Sequence, residues 1–177
     1  MRNIGSIARV LVPALACLWI APLLAQQKDR IATFIRDALT ARSKQMVAAT
    51  VDMPAGKYDF KASAEQQTFG QLVLHIADVN YLYCSKIGSV PAPELSALSD
   101  ADPKEKLVER MKSSFDFCAA ALSKLDDSHM ADTLNMGDTK ASRAMIILTL
   151  SGTWNDHSML LNNDLKLSAQ LPPTANK

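Results

Sequence analysis

The residues able to do chemistry gather in two apolar segments. Ser151-Gly152-Thr153-Trp154-Asn155-Asp156-His157 places Thr153 and His157 one helical turn apart on a shared face. Gln71-Leu72-Val73-Leu74-His75-Ile76-Ala77-Asp78 carries a second imidazole, with Asp78 three residues on. Two imidazoles on an ion at about 2.0–2.1 Å, with a coordination position left open, begin a metal centre in which bound water reacts. Each histidine taken alone reads as a core residue of intermediate burial preference, so the interest lies in the pair. The third position is the weak one. Thr153 offers a neutral hydroxyl where zinc takes His, Cys, Asp or Glu. Asp156 lies about 100° around the helix from His157 and needs a rotated helix to reach an ion. Asp78 and Asp156 are therefore expected around the site, orienting an imidazole rather than leading the coordination. Asn155, Asp156, Asn162, Asn163 and Asp164 read as a solvated face, and His129 falls in an irregular stretch that fixes no position for it.

Other catalytic signatures are absent: no Gly-rich phosphate loop, no serine elbow, no Cys-x-x-Cys. Cys84 and Cys118 stand beside Tyr83 and Phe117 at helical core spacing, which argues against nucleophiles. They read either as a disulfide formed in an oxidising compartment or as two small buried hydrophobes.

Four helices are expected to carry these residues. Ile31, Phe34, Ile35, Ala38, Met46 and Ala49 step as one amphipathic face from about Lys28 to Ala49, with Arg30, Arg36, Asp37, Arg42 and Lys44 largely opposite. Met53-Pro54-Ala55-Gly56 ends it, and an irregular connection follows to Gln67. Thr68-Phe69-Gly70-Gln71 is a capping box opening a second helix to about Lys86, apolar on most of its circumference and so expected to be buried. Asp102-Pro103-Lys104-Glu105 reads as cap, first-turn proline and acidic third residue of a helix carrying Leu107, Met111, Phe115, Cys118, Leu122 and Leu125. The fourth is expected from near Asp138 or Thr139, through Met145–Leu150 and His157 to Leu165, with Leu171-Pro172-Pro173 stopping it. No strand alternation stands out. The fold class is all-α: a four-helix bundle with a long crossover connection between its first two helices.

Met1–Ala25 reads as a cleavable signal peptide: Arg2 and Arg9, then apolar Val10–Leu24, then small Ala25 before Gln26. Residues 26–177 are then one exported domain, periplasmic or secreted. The alternative is a lipoprotein anchored through Cys17, since Ala14-Leu15-Ala16-Cys17 weakly resembles a lipidation box. Losing Arg2 and Arg9 leaves 17 basic against 18 acidic residues, a balance with no footprint for nucleic acid and none for a membrane after cleavage.

The segments also resemble, in order and spacing, the DinB family and the wider group of DinB-like bundles that includes bacillithiol- and mycothiol-dependent transferases. The matching pieces are Met53-Pro54 with Lys57-Tyr58-Asp59-Phe60, then Thr68 through Asp78, then Ser114-Phe115-Asp116-Phe117-Cys118, and Asp156-His157 ahead of Leu171-Pro172-Pro173. The resemblance covers about Lys28 to Pro173. It implies a four-helix bundle with a divalent metal on three histidines. The one from the second helix is matched by His75, and the second of a His-x-x-x-His turn by His157. The first of that turn falls on Thr153, and the tyrosine and glycine often following are Ser158 and Met159. The expectation is therefore an exported bundle with a degenerate metal site and a non-catalytic or binding role, holding no metal or a weakly bound zinc or nickel. The alternative is a divalent-metal-dependent hydrolase or thiol S-transferase-like enzyme using His75 and His157 as ligands. A small molecule in the bundle pocket and a second copy of the chain, as a homodimer, are the expected partners.

Overall fold

A computed structural model of the chain describes residues 29–170. The leader expected over Met1–Ala25, the lipidation alternative at Cys17 and the stop at Pro172-Pro173 lie outside them.

Helix α1 spans Arg30–Asp52 and buries Ala32, Ile35, Leu39, Met46 and Ala49 along one stripe. Its own N-cap, Asp29, makes no side-chain cap bond. The first amides are instead met from across the fold, where the Asp127 carboxylate accepts from the Ile31 and Ala32 N–H groups at 3.1 and 2.9 Å. At the other end Lys104 Nζ donates to the Met53 carbonyl at 2.7 Å. Two expectations for this helix change. Phe34 is 46% exposed rather than in the stripe. Arg36 and Arg42 face neighbours rather than open water, donating at 2.8 Å to the Leu125 carbonyl and to Asn155 Oδ1 respectively. Long arginine stems lie along the bundle surface while their heads cap or cross-link it.

Helix α2 spans Phe69–Gly88 and opens with the predicted capping box: Thr68 Oγ1 accepts from the Gln71 amide and Gln71 Oε1 from the Thr68 amide, both at 3.0 Å. It is not buried all round. Gln71, His75, Asp78, Leu82 and Lys86 form an exposed stripe at three- and four-residue steps. Gly88 is required by packing, because a Cβ there would collide with the Ala121 carbonyl oxygen of α3, which spans Lys104–Leu122. Asp102 does not cap α3. Pro103 takes the N-cap place without a side-chain bond, while the Asp102 carboxylate accepts from the Ser99 amide at 3.0 Å and from Lys106 Nζ at 3.1 Å.

The region before the last helix corrects the sequence reading. Strands β1 (Thr133–Met136) and β2 (Thr139–Ser142) pair antiparallel, with Met136 opposite Thr139. Gly137 turns the hairpin at φ 72°, the first position of a two-residue loop where glycine is favoured. Helix α4 therefore starts at Arg143, after the hairpin rather than inside it, and runs to Gln170. Four-residue strands are too short for alternation to stand out against their surroundings.

Helix α1 packs against α3 and α4, and α2 packs against the same two, which sets α1 and α2 diagonally across the bundle. Trp154, Phe69, Ile76, Leu107, Met111, Leu150 and Leu161 fill the centre. Cys84 and Cys118 are joined between α2 and α3 with their Cα atoms 5.1 Å apart. Arg143, only 7% exposed, donates to the Ile87 and His129 carbonyls and to Ser89 Oγ, pinning the end of α2 to the start of α4. None of the helices described is long and apolar enough to cross a membrane.

Candidate functional site

The rotation of α4 against α2 decides where Thr153 and His157 stand, and a buried amide sets it. Trp154, fully buried between them in sequence, donates its indole N–H to Asn80 Oδ1 at 2.7 Å. Asn80 Nδ2 donates to Ser114 Oγ at 3.0 Å, and Ser114 donates on to the Met111 carbonyl at 2.8 Å. Three helices are thus keyed by one satisfied polar chain, in a place where an unpaired group costs about 1–3 kcal/mol.

With that key in place the two histidines meet. The His75 and His157 rings stand edge to face, centroids 5.1 Å apart and planes at 81°. His75 is exposed and His157 half-buried, so the pair lies at the rim of the α2–α4 seam. His157 Nδ1 is buried and has no hydrogen-bond partner among the described residues. Its pKa is lowered, first by desolvation and then by the neighbouring His75, with Asp156 opposing. At neutral pH its imidazole is therefore uncharged, the form that coordinates metals.

Two imidazoles sharing a tetrahedral ion at about 2.0–2.1 Å have ring centres about 5 Å apart, so the pair is spaced as two ligands would be. The set as a whole does not fit a stably held ion. Among the described residues, no three His, Cys, Asp or Glu side chains gather closely enough to hold one. The hydroxyl of half-buried Thr153, one turn before His157, has no hydrogen-bond partner among the described residues, and being neutral it is a poor donor to zinc. Asp78 and Asp156 are exposed, and neither bonds to an imidazole; Asp156 reaches His157 only through its charge. His129 stands in another cluster, its Nδ1 3.1 Å from an Asp132 carboxylate oxygen that also lies 3.5 Å from Arg143. A cavity of about 700 Å³ opens between the Pro93–Leu98 segment and α3, over Tyr81 and Phe117, and does not include the histidine pair.

Two residues of this region escaped the sequence reading. Asn80 is a polar residue within a largely apolar helix, and its position alone names no partner. Asp164, assigned to a solvated face, is only 8% exposed; burial raises its pKa. Its spacing carried the signal, because seven residues after His157 is two turns along the same face.

A sequence model of the DinB superfamily matches residues 38–160, which include His75, Thr153 and His157. The chain belongs to the DinB superfamily. Solved DinB-like proteins share the fold. One from Bacillus subtilis superposes with a TM-score of 0.65 at 14% identity, over 80% of this chain and 96% of that one. One from Bacillus cereus gives 0.63 at 13% identity, over 81% and 95%. No curated protein matches the sequence. At such identities the likeness to these DinB-like structures is one of fold.

Proposed function

We propose that this DinB-superfamily chain is an exported binding or structural bundle whose metal site is degenerate, with Thr153 standing where a third histidine ligand would be. The observation that carries the reading is the donor set itself: two imidazoles at ligand spacing and, one turn from His157, an alcohol. Removing one nitrogen ligand of three weakens affinity by orders of magnitude, so zinc or nickel binds loosely or not at all. The surroundings of His75 and His157 then serve recognition of a small molecule rather than water activation. Export to the periplasm or beyond rests on the Met1–Ala25 leader pattern, with lipid attachment at Cys17 as its alternative. N-terminal sequencing of the secreted form decides between a chain starting at Gln26 and one starting at a modified Cys17.

One observation favours the alternative, a divalent-metal-dependent hydrolase or thiol S-transferase-like enzyme: the partnerless buried Nδ1 of His157, beside a second imidazole at ligand spacing. Calorimetric titration of the apoprotein with zinc and with nickel separates the two. Binding at or tighter than about 1 μM, lost in His75→Ala and His157→Ala, favours the enzyme; binding no tighter than about 1 mM favours the degenerate site.

A further inference from the structure

The cavity between the Pro93–Leu98 segment and α3 lies apart from the histidine pair, and its walls are held in place. Its floor is made by the Tyr81 and Phe117 rings, centroids 5.4 Å apart and planes at 48°. Cys84 follows Tyr81 by three residues and Cys118 follows Phe117 directly, so the disulfide joins the two helices that carry this floor. The outer wall is tethered by Arg110, whose Nη2 donates to the Ser96 carbonyl at 2.6 Å. A pre-formed volume of about 700 Å³ is within the range that small molecules occupy. Tyr81 is only 5% exposed, yet its hydroxyl bonds to none of the described residues. Among those residues His157 Nδ1 is the one side-chain polar atom both sealed from solvent and unpartnered, so the Tyr81 hydroxyl keeps an opening, on the cavity its ring lines. Burial raises its pKa first, Arg110 lowers it, and Asp116, Asp78 and Glu109 raise it, so at neutral pH it is a phenol that accepts as well as donates.

The rim sets the charge of the ligand. Its cations are engaged within the chain, Lys106 with Asp102 at 3.1 Å and Arg110 with Ser96. Its carboxylates are not matched in the same way. Glu94 and Glu105 make no hydrogen bond or ion pair among the described residues, and Glu109 accepts only from the Ser113 hydroxyl, at 3.2 Å. The charge left over is negative, so the ligand it favours is a cation. A metal ion does not fit, because no three His, Cys, Asp or Glu side chains among the described residues gather closely enough to hold one. An ammonium group does. Aromatic faces attract such a cation within about 6 Å, and its N–H groups give the Tyr81 oxygen the donor it lacks. Leu98 beside Phe117 offers apolar surface to the rest of the molecule.

We propose that this cavity binds a primary ammonium compound with an apolar body, the ammonium held by the Tyr81 hydroxyl and the Glu109 carboxylate and the body lying against Phe117 and Leu98. The site is separate from the histidine pair and does not rest on the reading of the metal position. Glu109 is exposed, and a single exposed carboxylate contributes little, so the affinity is modest.

Titration of the chain from Gln26 with phenethylamine at pH 7, followed by nuclear magnetic resonance, tests it beside the neutral phenethyl alcohol and the anionic phenylacetate. The amine should bind with a Kd at or below about 1 mM, at least about tenfold more tightly than either analogue. Tyr81→Phe and Glu109→Gln should each weaken it at least about threefold, the worth of one hydrogen bond or one exposed charge. Neither change should move the melting midpoint much, because the Tyr81 hydroxyl bonds to nothing described in the chain and a glutamine still accepts from Ser113. His157→Ala should leave the affinity unchanged. Loss of binding in His157→Ala puts the amine at the histidine pair and overturns the proposal. So does a Kd above about 1 mM, an analogue that binds within about tenfold of the amine, or a weakening under about threefold in either Tyr81→Phe or Glu109→Gln.

Discussion

Replacing Asn80 with leucine tests whether one buried amide keys the bundle and thereby places the histidine pair. Leucine keeps the volume but neither accepts nor donates. Ser114 stays satisfied through its bond to the Met111 carbonyl, so the loss concentrates on the Trp154 indole N–H, held at 2.7 Å in a fully buried position. An orphaned buried donor costs about 1–3 kcal/mol, which over a domain of this size lowers the melting midpoint by roughly 4–8 °C for the central value of about 2 kcal/mol. The assay is urea unfolding followed by far-UV circular dichroism, run as a cycle with Trp154→Phe. In the phenylalanine background no indole is left to orphan, so Asn80→Leu should cost little, and the two changes should couple by at least about 1 kcal/mol. In the chain from Gln26, Trp154 is the only tryptophan, so its emission also reports local wetting in the single Asn80→Leu variant. Costs that add to within about 0.5 kcal/mol would refute the reasoning, because contacting partners cannot be independent.

Further predictions concern charge and covalent ties. Asp164→Asn removes a buried carboxyl whose pKa burial raises. The native form thus binds more protons than the unfolded one above pH 3.8, stability is lost as pH rises through that window, and the amide should gain about 1 kcal/mol at pH 7 but nothing at pH 3 by urea unfolding. His157 works the other way. Its pKa is below 6.5 in the fold, so the unfolded chain takes up more protons. Its contribution is full above pH 6.5 and is lost as pH falls through it, so the loss of stability between pH 7.5 and 5.5 should be shallower in His157→Leu. Cys84 and Cys118 enclose a loop with a sequence separation of 34, for which cross-linking stabilises by about 3–4 kcal/mol. The chain from Gln26, isolated from an oxidising compartment and denatured, should titrate no free thiols, and Cys84→Ser with Cys118→Ser should melt well below wild type.

The bundle was legible because its signals are local and strong: the Thr68 capping box, Pro54 after α1, and core residues at helical spacing. The hairpin at Thr133–Ser142 was not, because four-residue strands carry no period that outweighs the polar turn around them. The candidate site divides in the same way. His75, Thr153 and His157 were readable as helical positions, and of these the structure brings the two imidazole rings together, 5.1 Å between centroids. Asn80 was not readable, and Asp164 was legible only through its two-turn spacing from His157. A polar residue within an apolar helix can face water or a partner, and that depends on which helix lies opposite. Asp102 shows the same limit: the cap pattern was right in composition, yet its carboxylate bonds to Ser99 and Lys106 instead.

The central claim is that Thr153 leaves the family's metal position one ligand short. Metal content of the chain from Gln26, purified without chelator and measured by mass spectrometry beside Thr153→His, tests it most directly. The account predicts well under 0.1 equivalent of zinc or nickel in the wild type and close to one in Thr153→His, because the third nitrogen completes a set already held at ligand spacing. One equivalent in the wild type, lost in His75→Ala, would contradict it.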